Sequence, residues 1–281
     1  MLRQALIKEK KRERKRKNKM AKIRFGPAGI GGVKEAIYNL REYKKQGLTA
    51  AEVEFTYGVY IKKKQDAEKI GEEAKKLGIM LSIHAPYYVN LASHDKKKIE
   101  QSKKRILKCC EIGHYLGVKY IVFHAGYYGK HNKEDCYKII KKQILNMQKT
   151  IKQKKWKVKL APETTGKQSQ FGSLDELLKM AKETKCHFCI DFAHILARAQ
   201  GKINYKEIFE KIKKISYIHS HFSGIEYTDK GERRHLVTNE KRVKELLKWI
   251  KRYNLSITII NESPQPFKDS LKGLKIWKSM K

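Results

Sequence analysis

Long apolar runs are missing: nothing approaches the ~18 residues that a membrane-spanning helix needs, and no apolar h-region follows the basic N-terminus. The expectation is a soluble, cytoplasmic protein with no membrane partner. Cysteine is scarce and odd in number, five in all, with Cys109 and Cys110 adjacent, which does not read as a disulfide framework and suits a reducing compartment. Acidic residues are outnumbered, 29 against 65 Lys+Arg, for a net charge of +36. Such a surplus makes acidic proteins poor partners and nucleic acid or another polyanion the natural one. A dinucleotide fingerprint is also absent, because GPAGIGG (26–32) does not fit G-x-G-x-x-G.

What is present is a hydrophobic fraction of 40% in 281 residues, enough for a sizeable core and within the range of one α/β barrel. Residues 1–20 carry ten Lys/Arg against two Glu and no strand or turn signal, so they read as a basic, disordered N-terminal arm. The arm accounts for +8 of the charge, and the remaining +28 belongs to residues 21–281, the expected folded domain. From residue 21 onward, short β-branched segments alternate with longer segments of helical period. The strands are 23–26, 52–56, 80–84, 119–124, 157–163, 187–191, 216–222 and 256–262; the helices that follow them are 33–46, 65–77, 95–116, 133–153, 174–184, 205–214, 240–252 and 267–279. Gly78 and Gly117 fall where left-handed helix C-caps are expected. Eight strict β-then-α units predict a (β/α)8 TIM barrel, a single domain of the α/β class.

The chemistry-bearing residues fall in one place on that scheme. His84, His124, Glu163 and Asp191 each end a predicted strand, His219 lies near the end of the seventh and Glu262 ends the eighth. In a parallel barrel these ends share one mouth. His194, Glu232 and His235 belong to loops on that face. Imidazole and carboxylate donors together suit Zn, Mn or Fe, and nine are too many for one ion. They suit two or three clustered cations, which is what phosphodiester hydrolysis requires. Each residue alone has a bland reading as a pocket residue or helix cap, but six strand ends carrying such donors do not share one. Cys186-x-x-Cys189 lacks a second half and reads as strand, while His94, His114, His131 and His187 read as structural or surface residues.

The segments SIHAPYYVNLAS (82–93), VFHAG (122–126), APETTGKQSQFGS (161–173), CIDFAHILA (189–197), YIHSHFSG (217–224), KGERRHL (230–236) and INESP (260–264) resemble the endonuclease IV family of apurinic/apyrimidinic endonucleases. The resemblance covers residues 22–281. It implies three zinc ions, with Mn or Fe admissible at one position. His84, His124 and Glu163 would hold the first. Glu163 would bridge to a second completed by Asp191, His219 and Glu262, and His194, Glu232 and His235 would hold the third. It implies cleavage 5′ to abasic sites by a metal-bridging hydroxide, with Glu163 and Glu262 in the catalytic centre. Double-stranded DNA with abasic sites or blocked 3′ ends would be the substrate, and no obligatory protein partner is evident. Tyr87 matches a family position whose ring enters the DNA, and GKQSQFG (166–172) is expected to face substrate.

Two departures stand out. Glu232 and His235 are spaced by three where the family has acid-x-His. His221 stands where the family has an amide-type residue, and since His219 and His221 share a strand face, either is open as the ligand, with His219 preferred. The competing readings are a metal-dependent sugar isomerase or epimerase on the same barrel, and a non-catalytic nucleic-acid-binding barrel.

Overall fold

The computed structural model describes residues 21–280; the arm expected over residues 1–20 lies outside the described residues. The elements are β1 (Ile23–Pro27), α1 (Ala36–Lys45), β2 (Ala50–Glu54), α2 (Lys64–Leu77), β3 (Met80–His84), α3 (Lys96–Leu116), β4 (Tyr120–Phe123), α4 (Lys133–Gln153), β5 (Lys159–Pro162), α5 (Leu174–Thr184), β6 (Cys189–Asp191), α6 (Phe192–Arg198), α7 (Tyr205–Ile212), β7 (Ile218–Phe222), β8 (Gly224–Thr228), β9 (Gly231–Leu236), α8 (Glu240–Tyr253), β10 (Ile257–Asn261) and α9 (Pro266–Ser279). Local chemistry sets the helix ends. Gly78 and Gly117 are left-handed caps of α2 and α3, and Ser173 with Glu176 forms a capping box on α5.

Two parallel four-stranded sheets, β1-β10-β7-β6 and β2-β3-β4-β5, join into a TIM barrel through the bridges Ala28–Glu52 and Glu163–Cys189. The first seam explains a glycine. A Cβ on Gly26 would stand 1.9 Å from the Ala50 carbonyl oxygen, so only glycine lets β1 and β2 meet there. Strand residues alternate between two cores. Phe25, Val53, Leu81, Ile83, Ile121, Phe123 and Leu160 join the large cluster shared with the helices, whereas Tyr120, Val122, Ala161 and Cys189 form a small separate cluster inside the cylinder. The antiparallel β8–β9 hairpin and the short α6 are additions to the eight-unit scheme, and both stand at the mouth. All five cysteines are buried and unbridged, and no described helix is long and apolar enough to cross a membrane.

Candidate metal centre

Glu163, one residue past β5 and fully buried, is the hub of the mouth. Its Oε2 lies 3.1 Å from both His84 Nε2 and His124 Nε2, while its Oε1 lies 2.9 Å from His221 Nδ1 and 3.5 Å from His194 Nδ1. His221 Nδ1 is also 3.2 Å from Glu262 Oε1. On the outer side His194 Nε2 stands 3.3 Å from Glu232 Oε2 and 3.3 Å from His235 Nε2. Among the described residues, five groups of donor atoms lie within 4.8 Å of one another: His84, His124 and Glu163; Glu163, Asp191, His221 and Glu262; Asp191, His194 and His235; and, on the inner side, Cys189, His219 and His221, and Glu52, Glu54 and Glu262. Glu232 adjoins the third group through its two imidazoles.

One preferred residue is displaced. His219 is not with Glu163, Asp191 and Glu262; it pairs in register with Cys189, one layer down, and its Nε2 meets Glu52 Oε2 at 3.0 Å. The reason is register. β7 ends at Phe222 as expected, but its pairing with β6 places His221 level with Asp191 and sets His219 two residues deeper. The other eight sequence-derived residues gather at the mouth. The wider Glu232–His235 spacing is absorbed by the hairpin, where a register shift at Glu226/Tyr227 lets β9 turn both side chains toward His194.

Sequence reasoning missed Glu52 and Glu54. The signal was present, because Glu-x-Glu inside the apolar segment AAEVEF places two carboxylates on one face of a covered strand. The predicted strand ran to Thr56, two residues beyond the observed end, which hid that Glu54 lies opposite His84 at the rim.

Anchoring contacts leave the imidazoles aimed at the centre. His84 Nδ1 donates to Ala85 O at 2.8 Å and His194 Nδ1 to Thr164 O at 2.9 Å, which leaves each Nε2 lone pair for the cluster. Ser223 Oγ sits 2.6 Å from His235 Nδ1 in the same role. Asp191 Oδ1 accepts from the His194 backbone N–H at 2.8 Å, capping α6, and its buried Oδ2 has no hydrogen-bond partner. His124 Nε2 is likewise buried without a hydrogen bond. Ligand atoms around a tetrahedral ion at ~2.1 Å stand about 3.4 Å apart. The spacings and the orphaned atoms therefore fit resident cations.

Burial works against charge throughout this cluster, and where a carboxylate meets imidazoles the pairing overrules it. At His84 it lowers the pKa, but the hydrogen bond to Glu163 and the Glu54 and Glu163 charges push it to about 10. Burial likewise opposes ionisation of Glu163, yet the His221 and His124 imidazoles hold it well below the carboxylate range. Glu232 and Glu262 fall to about 2 against the same penalty, drawn down mainly by His194 and His221 respectively. Where carboxylates crowd, burial wins: Asp191 rises to about 6 and Glu54 to about 8.

The loop after β5 buttresses the outer group. Gly166 O accepts from the Glu232 N–H at 3.1 Å, and a Cβ on Gly166 would stand 2.5 Å from Glu232 Cβ. Arg198, at the end of α6, donates to Gln170 O at 3.0 Å and also to Lys167 O, pinning GKQSQFG from beneath. Tyr87 is 58% exposed, with its ring centroid 6.1 Å from that of His84, so a flat apolar surface stands at the rim.

This chain belongs to the xylose isomerase-like TIM barrel family, whose model matches residues 40–222. It is 38% identical over 278 residues to an uncharacterized protein of Methanocaldococcus jannaschii, covering 94% of this chain and 100% of that one. A probable endonuclease 4 of Mesomycoplasma hyopneumoniae is 29% identical over 141 residues, 48% of this chain and 49% of that protein, so the likeness spans about half of that relative. Among solved structures, SacUVDE superposes with a TM-score of 0.73 at 15% identity, covering 92% of this chain and 99% of that one. Endonuclease IV from Thermus thermophilus (TM-score 0.66, 19% identity, 92% and 100% coverage) and a D-tagatose 3-epimerase-like protein (0.66, 19%, 92% and 97%) match equally well. The resemblance to the endonuclease IV family read from the sequence is borne out. The structural likenesses carry the fold and do not choose between nuclease and epimerase.

Proposed function

We propose that this chain is a multinuclear, metal-dependent endonuclease that cleaves double-stranded DNA 5′ to abasic sites, leaving a 3′-hydroxyl and a 5′-deoxyribose phosphate. The observation that carries the reading is the outer donor group of His194, Glu232 and His235, presented by the β8–β9 hairpin beside a hub carboxylate. A sugar epimerase needs one or two ions, and for it these three side chains would be surplus; fold likeness alone cannot separate the chemistries.

His84, His124 and Glu163 would hold one cation. Glu163, Asp191, Glu262 and His221, in place of His219, would hold a second, and His194, Glu232 and His235 a third. Bound zinc-like ions supply Lewis acidity for an attacking water, the phosphodiester and the leaving oxygen. Glu163 and Glu262 face the inner imidazoles and keep those donors in place, and the Glu54 carboxyl stands beside them, its pKa pushed up mainly by burial. Tyr87 offers a stacking face at the lesion, and the Lys/Arg surplus outside the mouth holds phosphates in a salt-dependent way. This surface also suits DNA with blocked 3′ ends.

The test is incubation of purified protein with a duplex carrying one abasic-site analogue, with and without chelator, beside a panel of ketohexoses. Incision 5′ to the analogue that chelation abolishes is the expected result. Epimerised sugar with intact DNA would overturn the reading in favour of an epimerase. Tight DNA binding without cutting by metal-replete protein would replace it with a non-catalytic binder.

A further inference from the structure

Beneath the mouth, β2 contributes a charge that the ligand scheme leaves unused. Glu52 is fully buried, in register with Ser82 of β3. Among the described residues its ion-pair partners are two imidazoles: Oε2 is hydrogen-bonded to His219 Nε2 at 3.0 Å, and Oε1 lies 2.7 Å from His221 Nε2, an ion-pair contact not aligned as a hydrogen bond that leaves both atoms without a hydrogen-bond partner. Burying a carboxylate is costly unless partners of opposite charge are close. Here one partner continues upward, since the other ring nitrogen of His221 faces Glu163 at 2.9 Å and Glu262 at 3.2 Å.

We propose that Glu52 is a positioning residue for the inner cation set. Its charge, 2.7 Å from Nε2, favours the His221 proton on that nitrogen, so that Nδ1 presents its lone pair to the space shared with Glu163, Asp191 and Glu262. A carboxylate behind an imidazole fixes the tautomer and ring orientation and makes the ligand more basic. His219 then acquires a role that its depth denies it as a mouth ligand. By taking the second oxygen it stops the Glu52 carboxylate from rotating away from His221. The layer is closed below by Cys189 and the Tyr120 ring, whose centroid is 5.5 Å from that of His219, so water does not compete for the carboxylate.

This inference rests on the multinuclear reading above, and its test separates the two. Zinc-loaded wild type and Glu52→Gln are compared by metal content, by chelator competition and, after cobalt substitution, by visible absorption. The expected result is a 10–100-fold weaker hold on one ion with an altered cobalt spectrum, the other ions being retained. In 15N-histidine-labelled holoprotein, His221 should show the Nε2–H tautomer in the wild type and lose that preference in the variant. Should Glu52→Gln fail to fold, Glu52→Asp carries the test, because withdrawing the charge by one methylene must still weaken the same ion. Wild-type affinity and spectrum in the folded variant would overturn the role of Glu52 alone. A wild type that retains no transition metal would overturn both readings. Cys189→Ser should leave the ion count unchanged; loss of an ion there would overturn the inference by showing that the deep layer is itself a binding site.

Discussion

Two histidines of one barrel, the buried His84 at the mouth and the half-buried His187 at the foot, hold protons in opposite ways. His84 is pushed to about 10 although burial opposes its charge, because Glu163, Glu54 and Glu262 surround it. His187 falls to about 3, where burial is the largest cause and His219, Lys119 and Lys159 push the same way. At the foot His187 stacks on Tyr120 with ring centroids 4.1 Å apart, and Lys119 lies 5.2 Å from the centroid of the Tyr120 ring. Burial opposes the charge of both, so the neighbours decide the sign. At the foot His187 and Tyr120 pack as stacked rings, an arrangement that needs no ligand. The mouth gathers carboxylates and imidazoles whose mutual pairing stands in for positive charge that arrives from outside.

Replacing the hub should break this contrast most severely. Glu163→Gln removes the carboxylate that faces four imidazoles, and with it the element joining two donor groups. Incision of abasic duplex should fall by at least about 10²–10³-fold, the equivalent of ~3–4 kcal/mol in the barrier. Circular dichroism should show the barrel intact. Incision within about threefold of wild type would show that Glu163 joins nothing that matters to the reaction.

The foot gives a smaller effect with a defined pH window. The unfolded chain binds a proton at His187 near pH 6.5, whereas the folded chain refuses it until about pH 3. Stability from this residue is thus complete above 6.5 and falls by about 1.4 kcal/mol per unit below it, roughly 2 kcal/mol at pH 5. His187→Phe keeps a ring against Tyr120 and cannot titrate. Relative to wild type it should gain about 2 kcal/mol at pH 5 and change little at pH 8, as read from urea unfolding at both pH values. A pH-independent difference would mean that His187 titrates alike in the folded and unfolded chains.

The same contrast explains what the sequence disclosed. The eight strand–helix units were legible because parallel strands covered by helices read as near-continuous apolar runs between amphipathic segments. Helix boundaries such as 133–153 and 174–184 coincide with the observed α4 and α5. His84 and Asp191 were legible because each closes such a run. The His219/His221 choice was not, since both face inward and only the register of β7 against β6 says which reaches the mouth. Glu52 and Glu54 were obscured by a strand end set two residues late. The β8–β9 hairpin was hidden because its strands are half exposed and polar, lacking the alternation that marks a covered strand.

The smallest predicted effect tests whether the mouth extends to its rim. Tyr87 and Leu145 are both exposed apolar side chains, 58% and 44% respectively, but Tyr87 lies beside His84 and His124 while Leu145 lies on the outer face of α4. Stacking of an exposed ring on a base contributes ~1–3 kcal/mol per base on single strands, and a single contact at a duplex lesion is expected at the low end. Tyr87→Ala should therefore weaken binding to abasic duplex by about five- to tenfold and leave binding to undamaged duplex nearly unchanged. Leu145→Ala should alter neither. If both variants bind both duplexes as wild type does, lesion recognition belongs to the charged surface and the ring at the rim is ordinary exposed area.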